Sequence, residues 1–327
     1  RDDGLAFERR TRQRINDLND RLTADLLGKR FDWVSAGLQA FTEALLTSWI
    51  DQVVAASGVP RVLAAGGVFM NVKANKCIAE LASVESFEAF PSCGDESLPL
   101  GAYYLAAAER FGEVAVPSLA HYYLGDDLDE RETLVALRRS GFTYDRPHQI
   151  DEAVADVLVA GHPIARCAGR MEFGARALGN RSILGDPKNE DLVRVINMMV
   201  KKRDFWMPFA PIVKANRQED YLHNPKQLRS PYMMMTFDTR EDAFRDLIAA
   251  VHNADLTCRA QLLTEAQNPD MYAILEAFEA RTGRAVLLNT SFNLHGYPIV
   301  RTAEEALAVL RDSGLEYLQV GPYLVSK

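Results

Sequence analysis

Between residues 60 and 111 the chain runs twice through the same order: a short apolar segment, a small-residue loop, then an amphipathic segment. RVLAAGG reads as a buried strand entering a glycine turn, and NVKANKCIAELA as the helix after it, with Asn71 placed to cap its first turn. FEAF is the second strand, PSCGDES its loop, and SLPLGAYYLAAAERF the second helix. Strand, polar loop and helix in that repeated order predict an α/β arrangement whose loops gather along one edge. A helix should precede the first strand. In LQAFTEALLTSWIDQVV the apolar positions Leu38, Phe41, Leu45, Trp49 and Val53 form one face, and Gly58-Val59-Pro60 stops the helix.

Proline, glycine and acidic residues cluster in VAVPSLAHYYLGDDLDERE, and the domain boundary is placed there, giving units 1–115 and 116–327. Beyond it the pattern is mixed: a helix near 151–160, a strand PIARCA, a helix DLVRVINMMV, a Met-rich strand PYMMMTFD, a helix YAILEAFEA and a strand AVLLNTSFN. EEALAVLRDSG and EYLQVGPYLVSK close the chain. This order fits an α+β or open α/β domain.

Composition narrows the function. A chain of 327 residues with 48% hydrophobic residues can bury full cores in about two domains. Its net charge of -8 argues against bulk nucleic-acid binding. The cysteines Cys77, Cys93, Cys167 and Cys258 form no C-x-x-C pair, which points to a reducing cytoplasm rather than a zinc site. No apolar stretch is long enough to span a bilayer.

Against that acidic balance stands GRMEFGARALGNRSILGD, residues 169–186. A guanidinium fork matches phosphate or carboxylate oxygens in a way lysine cannot, so Arg170, Arg176 and Arg181 in one turn-rich loop suggest an anion site. Glu172 is positioned to orient one of them; Lys201, Lys202, Arg203 and Arg259 could join. A solvated, salt-bridged surface loop is the plainer alternative. Elsewhere Gly66 and Gly67 suit a close backbone approach to a phosphate, or merely a tight turn. Asp95 suits a helix cap, or a metal or ribose ligand. Asn289, Thr290, Ser291 and Asn293 offer neutral hydrogen bonds at a strand end, either to a ligand or to their own turn.

Taken together, AGGVFMNVKANK, FPSCGDESLPLGAYYLA, GRMEFGARALGNRSILGDPKN, KKRDFWMPFAP, DLTCRAQ with NPDMY, and LNTSFNLHGYPIV resemble, in order, the ATP-dependent O-carbamoyltransferases of the nodulation and antibiotic-biosynthesis type. The resemblance runs from Gln39 onward. It implies the second half of an actin-like domain followed by a YrdC-like domain. The YrdC-like domain would make carbamoyl-adenylate from carbamoyl phosphate, ATP and Mg²⁺. The actin-like domain would pass the carbamoyl group to a hydroxyl of a small molecule. By resemblance Arg170, Arg176, Arg181 and Arg203 hold phosphates and stabilise leaving-group charge, and Gly66, Gly67 and Asn71 match the nucleotide loop. Asp95 matches a ligand to divalent iron or a similar metal, and Glu172, Asn180, Ser182, Lys201, Thr257, Arg259, Asn289, Thr290, Ser291 and Asn293 complete the binding set.

The chain departs from the family in two places. The family's actin-like domain has an N-terminal half that carries two histidine metal ligands, and the sequence begins after the matching point, so the chain is expected to be a fragment or to have lost that half; ADLTCRAQ also lacks the glycine and proline common in the matching segment. A catalytically idle nucleotide-binding module is the competing reading, and tRNA threonylcarbamoylation a weaker one. Homodimers are the commonest oligomer, which makes one the default expectation here.

Overall fold

The computed structural model describes residues 5, 14, 18–112, 119–201 and 208–327; of Lys201 it describes the backbone. The boundary placed at residue 115 lies outside the described residues.

Helices α1 (Leu18–Leu26) and α2 (Phe31–Ser57) lead into β1 (Arg61–Ala64), α3 (Val72–Glu80), β2 (Ser86–Ala89) and α4 (Leu98–Phe111). The two strands pair in parallel, Arg61 opposite Ser86 and Ala64 opposite Ala89. Such pairing requires a crossover, and α3 supplies it. Asn71 caps α3 as the sequence predicts, its side-chain oxygen accepting the Ala74 N–H at 3.1 Å. Gly58, at φ +70°, ends α2 in the left-handed conformation.

The face of α2 is not the one the sequence predicts. Leu46, Ile50 and Val54 are buried, while Leu38 and Phe41 stay 66% and 62% exposed. Two apolar stripes compete on this helix, and periodicity alone does not say which one meets a neighbour. Asp95 is not a helix cap either: it opens an exposed 3-10 turn, Asp95–Ser97, behind Gly94.

The remaining chain builds α5 (Glu130–Ser140), β3 (Thr143–Asp145), α6 (Ile150–Val159), β4 (Ile164–Cys167), β5 (Arg181–Gly185) and α7 (Leu192–Ile196), the last continued by a π-helical turn to Lys201. Then come β6 (Ala210–Lys214), β7 (Leu222–His223), β8 (Phe237–Thr239), β9 (Thr257–Cys258) and β10 (Gln261–Leu263). Helix α8 (Pro269–Thr282), β11 (Val286–Ser291), α9 (Ala303–Asp312), β12 (Tyr317–Val320) and β13 (Tyr323–Ser326) complete it. Eight strands form one mixed sheet in the order β10-β6-β11-β5-β4-β12-β13-β3, and β7-β8-β9 form a second, smaller sheet.

Side chains alternate across a strand, so each face of the large sheet has its own core. Ile164, Leu184, Ile212 and Leu287 pack against α6 and α8 through Leu158, Ile274 and Phe278. Ala165, Ile183, Leu288 and Leu318 pack on the other side against α9 through Ala306, Leu307 and Leu310. A third core joins Leu46, Ile78 and Phe87 to Met234, Met235 and Phe237. The methionines are therefore packed as expected, but not as a strand: Met233 has φ +58°, and the strand starts only at Phe237. Methionine's unbranched chain fits such an irregular turn as readily as a pleat.

Candidate functional site

Strands β4 and β5 are antiparallel neighbours, Cys167 opposite Arg181, so residues 168–180 must leave the sheet and return as a hairpin excursion. That excursion is the arginine loop. Its stems are joined by Ala168 N–H donating to Asn180 O at 3.1 Å. One carboxylate oxygen, Glu172 Oε1, accepts the backbone N–H groups of Leu178 (2.8 Å), Asn180 (2.8 Å) and Arg181 (3.1 Å). The expectation that Glu172 orients a guanidinium is thereby corrected: among its hydrogen bonds described here it gathers the main chain of its own loop. A short polar segment with consecutive inward-pointing amides needs an acceptor, and a carboxylate six residues upstream provides one.

Two guanidinium groups lie beneath the loop. Arg166, on β4 and 1% exposed, donates from Nη1 to Ala168 O (3.2 Å), Gly179 O (2.9 Å) and Asn180 Oδ1 (2.8 Å). Burial pulls its pKa below the ordinary value, and the charges of Asp270 and Glu172 pull the other way. Arg181, at the start of β5 and 0% exposed, donates from Nη1 to Gly169 O (2.9 Å) and Asn180 O (3.0 Å), and from Nε to Arg301 O (3.3 Å). Its Nη2 is buried with no hydrogen-bond partner among the described residues. Arg170 is exposed and clamps Leu124 O and Gly125 O, both at 3.0 Å. Arg170 and Arg181 thus shape the loop as well as charging it, and Arg176, half-buried, stands at the loop's far bend.

Several elements converge on this loop. Phe173 N–H donates to Tyr122 O at 2.8 Å, and the Phe173 ring meets Phe90, at the end of β2, at 6.4 Å between centroids. A Cβ on Gly174 would lie 3.3 Å from Pro91 O, so the β2 loop presses directly on the arginine loop. From β11, Asn289 donates to Ala177 O at 2.8 Å; from the cap of α8, Asn268 donates to Asn180 Oδ1 at 2.9 Å. Tyr123 and Gln261 both donate to Leu178 O, at 2.9 and 3.2 Å. Asn180 completes the set, donating to Arg170 O at 2.7 Å, and Ser182 Oγ accepts from Gly179 N–H at 3.0 Å.

The structure therefore brings together Arg170, Glu172, Arg176, Asn180, Arg181, Ser182 and Asn289. Sequence reading missed Arg166, Tyr123, Gln261 and Asn268. The signal for Arg166 was available: a charge inside the otherwise apolar run PIARCA. Thr290 is buried beside Asn289 on β11, whereas Ser291 donates to Asn293 Oδ1 at 2.8 Å and Asn293 donates to Tyr297 O at 2.7 Å. Thr257 donates to Asp255 at 2.8 Å, in a corner that Lys73 of α3 also enters, and half-buried Arg259 follows β9. Gly66 and Gly67 are exposed at the end of β1, Gly66 at φ +112°. Arg203 and the side chain of Lys201 lie outside the described residues.

Asp95 has no partner ligands: among the described residues no group of three His, Cys, Asp or Glu side chains comes together to hold a metal. The residues described here do not by themselves make a metal centre, and no chemical step is routed through one. Among the described residues no helix is long and apolar enough to cross a membrane. All the cysteines are unpaired, and burial pushes the Cys167 thiol up to about 11, which leaves it unreactive beneath the loop.

Comparison with known proteins gives the family. Residues 155–327 match the family described as "Carbamoyltransferase C-terminus". An uncharacterized protein of Methanocaldococcus jannaschii is 32% identical over 90% of this chain and 49% of its own length. Nodulation protein NolO of Bradyrhizobium diazoefficiens is 33% identical over 90% of this chain and 54% of its own. The 3'-hydroxymethylcephem-O-carbamoyltransferase of Amycolatopsis lactamdurans is 31% identical over 54% of this chain and 32% of its own. The chain spans about half the length of the curated relatives it matches over most of its residues. With its C-terminal half matched by the family profile and most of its length by such relatives, the chain belongs to the carbamoyltransferase family.

Proposed function

We propose that this chain carries the adenylating site of an O-carbamoyltransferase. Carbamoyl phosphate, ATP and one water give carbamoyl-adenylate, pyrophosphate and phosphate; a hydroxyl oxygen of a small molecule then attacks the carbamoyl carbon and AMP leaves. On this reading residues 116–327 are a YrdC-like domain and residues up to 115 part of an actin-like domain. The cofactor set is ATP with Mg²⁺. The acceptor would be a natural-product hydroxyl, as the name of the cephem relative indicates for that protein.

The observation that carries the reading is the arginine loop in a chain of this family. Its main chain is pre-shaped by Glu172, Arg166 and Arg181, and the buried Nη2 of Arg181 has no hydrogen-bond partner among the described residues. Donors fixed before the substrate arrives need no reorganisation as charge develops on the leaving groups, which is where electrostatic catalysis is strongest. Arg176, at the bend, would meet the phosphate of carbamoyl phosphate bidentately.

The test is pyrophosphate release from ATP with and without carbamoyl phosphate, comparing wild type with Arg176→Ala. Release should require carbamoyl phosphate and fall by about 10² to 10³ in the variant, the usual effect of removing one charge-stabilising donor. A folded chain that binds ATP yet releases nothing would instead be a nucleotide-binding module.

A further inference from the structure

We propose that Arg166 is a positioning residue for this reaction, holding both stems of the arginine loop at the geometry that carbamoyl phosphate requires; this rests on the function proposed above. Strand β4 is buried along its whole length, and the cores on either side of it are apolar. An aliphatic residue at 166 would pack there with less desolvation than a guanidinium. The charge needs another explanation, and its contacts give one.

In the sheet register Arg166 lies opposite Ser182 on β5 and Gln319 on β12. From that row its Nη1 reaches Ala168 O on the outgoing stem, and Gly179 O with Asn180 Oδ1 on the returning stem. Asn180 ties the outgoing stem again through Arg170 O, and accepts from Asn268 at the cap of α8. Nη2 lies 4.0 Å from Asp270, in the first turn of that helix. One planar group therefore fixes a central strand, two loop stems and a helix start relative to one another. All three hydrogen bonds leave from Nη1, so a lysine ammonium placed there would keep a charged donor but lose the approach of Nη2 to Asp270. Releasing the stems moves Arg170, Arg176 and Arg181 together, and displacements near 1 Å at a binding group are enough to cost about a hundredfold in rate.

The experiment measures KM for carbamoyl phosphate and for ATP, kcat for pyrophosphate release and Tm, in wild type, Arg166→Met, Arg166→Lys and Asn268→Ala. Met fills the apolar space without the fork. The expected result is a KM for carbamoyl phosphate raised about tenfold to a hundredfold in Arg166→Met, with Lys intermediate and Asn268→Ala milder, at little change in the KM for ATP. If Arg166→Met does not fold, Lys and Asn268→Ala carry the same comparison. Folded variants with wild-type KM for carbamoyl phosphate overturn the positioning role while leaving the reaction intact. Equal loss in every parameter, tracking Tm, also overturns it, since a residue needed only for stability behaves that way. A wild-type chain that releases no pyrophosphate overturns the proposed function and this inference with it.

Discussion

Replacing Glu172 by alanine isolates the device that shapes the arginine loop. One oxygen accepts N–H groups from Leu178, Asn180 and Arg181, all buried residues. A hydrogen bond to a charged acceptor contributes about 1.5 to 3 kcal/mol, and a buried donor left unpaired costs about 1 to 3 kcal/mol. The three bonds share one acceptor oxygen and Glu172 is only half-buried, so water recovers part of the loss. A net cost on the order of 3 kcal/mol is therefore expected, which raises local opening of the loop by about 100-fold. Hydrogen–deuterium exchange of a peptide covering residues 172–184 reads this directly, with the α9 peptide as an internal control. Glu172→Gln keeps a carbonyl acceptor and loses only the charge, so it should show a clearly smaller increase. Protection in Glu172→Ala within about threefold of wild type would refute the reasoning, because the amides would then be satisfied without the carboxylate.

Acid should loosen the corner between α3 and β9. Burial alone would push the Asp255 carboxyl up, but hydrogen bonds from Lys73 and Thr257 outweigh it and hold the carboxyl at about 2. Its folded value lies below the unfolded value of about 3.9, so its contribution is complete above pH ~4 and is lost as pH falls towards 2. The half-exposed Lys73 partner limits that contribution to about 1 kcal/mol or less, and Asp255→Asn should remove this part of the acid slope in urea unfolding. If wild type and variant lose stability in parallel from pH 4 to 2, the pair contributes nothing. Gly179→Ala should destabilise by at least about 1 kcal/mol in the same assay, since φ is +113° and the new Cβ would meet Met271 Cγ at 2.8 Å. An unchanged midpoint would mean that α8 gives way freely at that contact.

Much of the architecture was legible because local chemistry and global packing agree. The glycine turn after RVLA and the Asn71 cap each announce themselves within a few residues. The failures share a cause: each depended on a neighbour distant in sequence. Helix α2 carries two apolar stripes, and the choice of Leu46, Ile50 and Val54 was made by the third core. The methionine run is buried by the same core, in a backbone that its composition does not fix.

In the candidate site, the residue types pointed to one loop but not to the division of labour within it. Arginines look alike in a sequence. Only the fold separates Arg181 and Arg166, inside the loop's base, from Arg176 at its bend, and only the fold turns Glu172 inward to the amides. Asn268 was hidden for a similar reason: a helix cap that also holds a loop residue has no local signature beyond the cap.

The measurement closest to the central claim is detection of the intermediate itself. Incubating the chain with ¹³C-labelled carbamoyl phosphate, ATP and Mg²⁺, quenching within seconds and examining the nucleotides by mass spectrometry and ¹³C NMR would show whether the label joins AMP. Labelled carbamoyl-adenylate, formed with pyrophosphate and absent in Arg176→Ala, is the predicted result. Label found only in carbamoyl phosphate and its hydrolysis products, with ATP intact and the chain folded, would contradict the claim that this loop is an adenylating site.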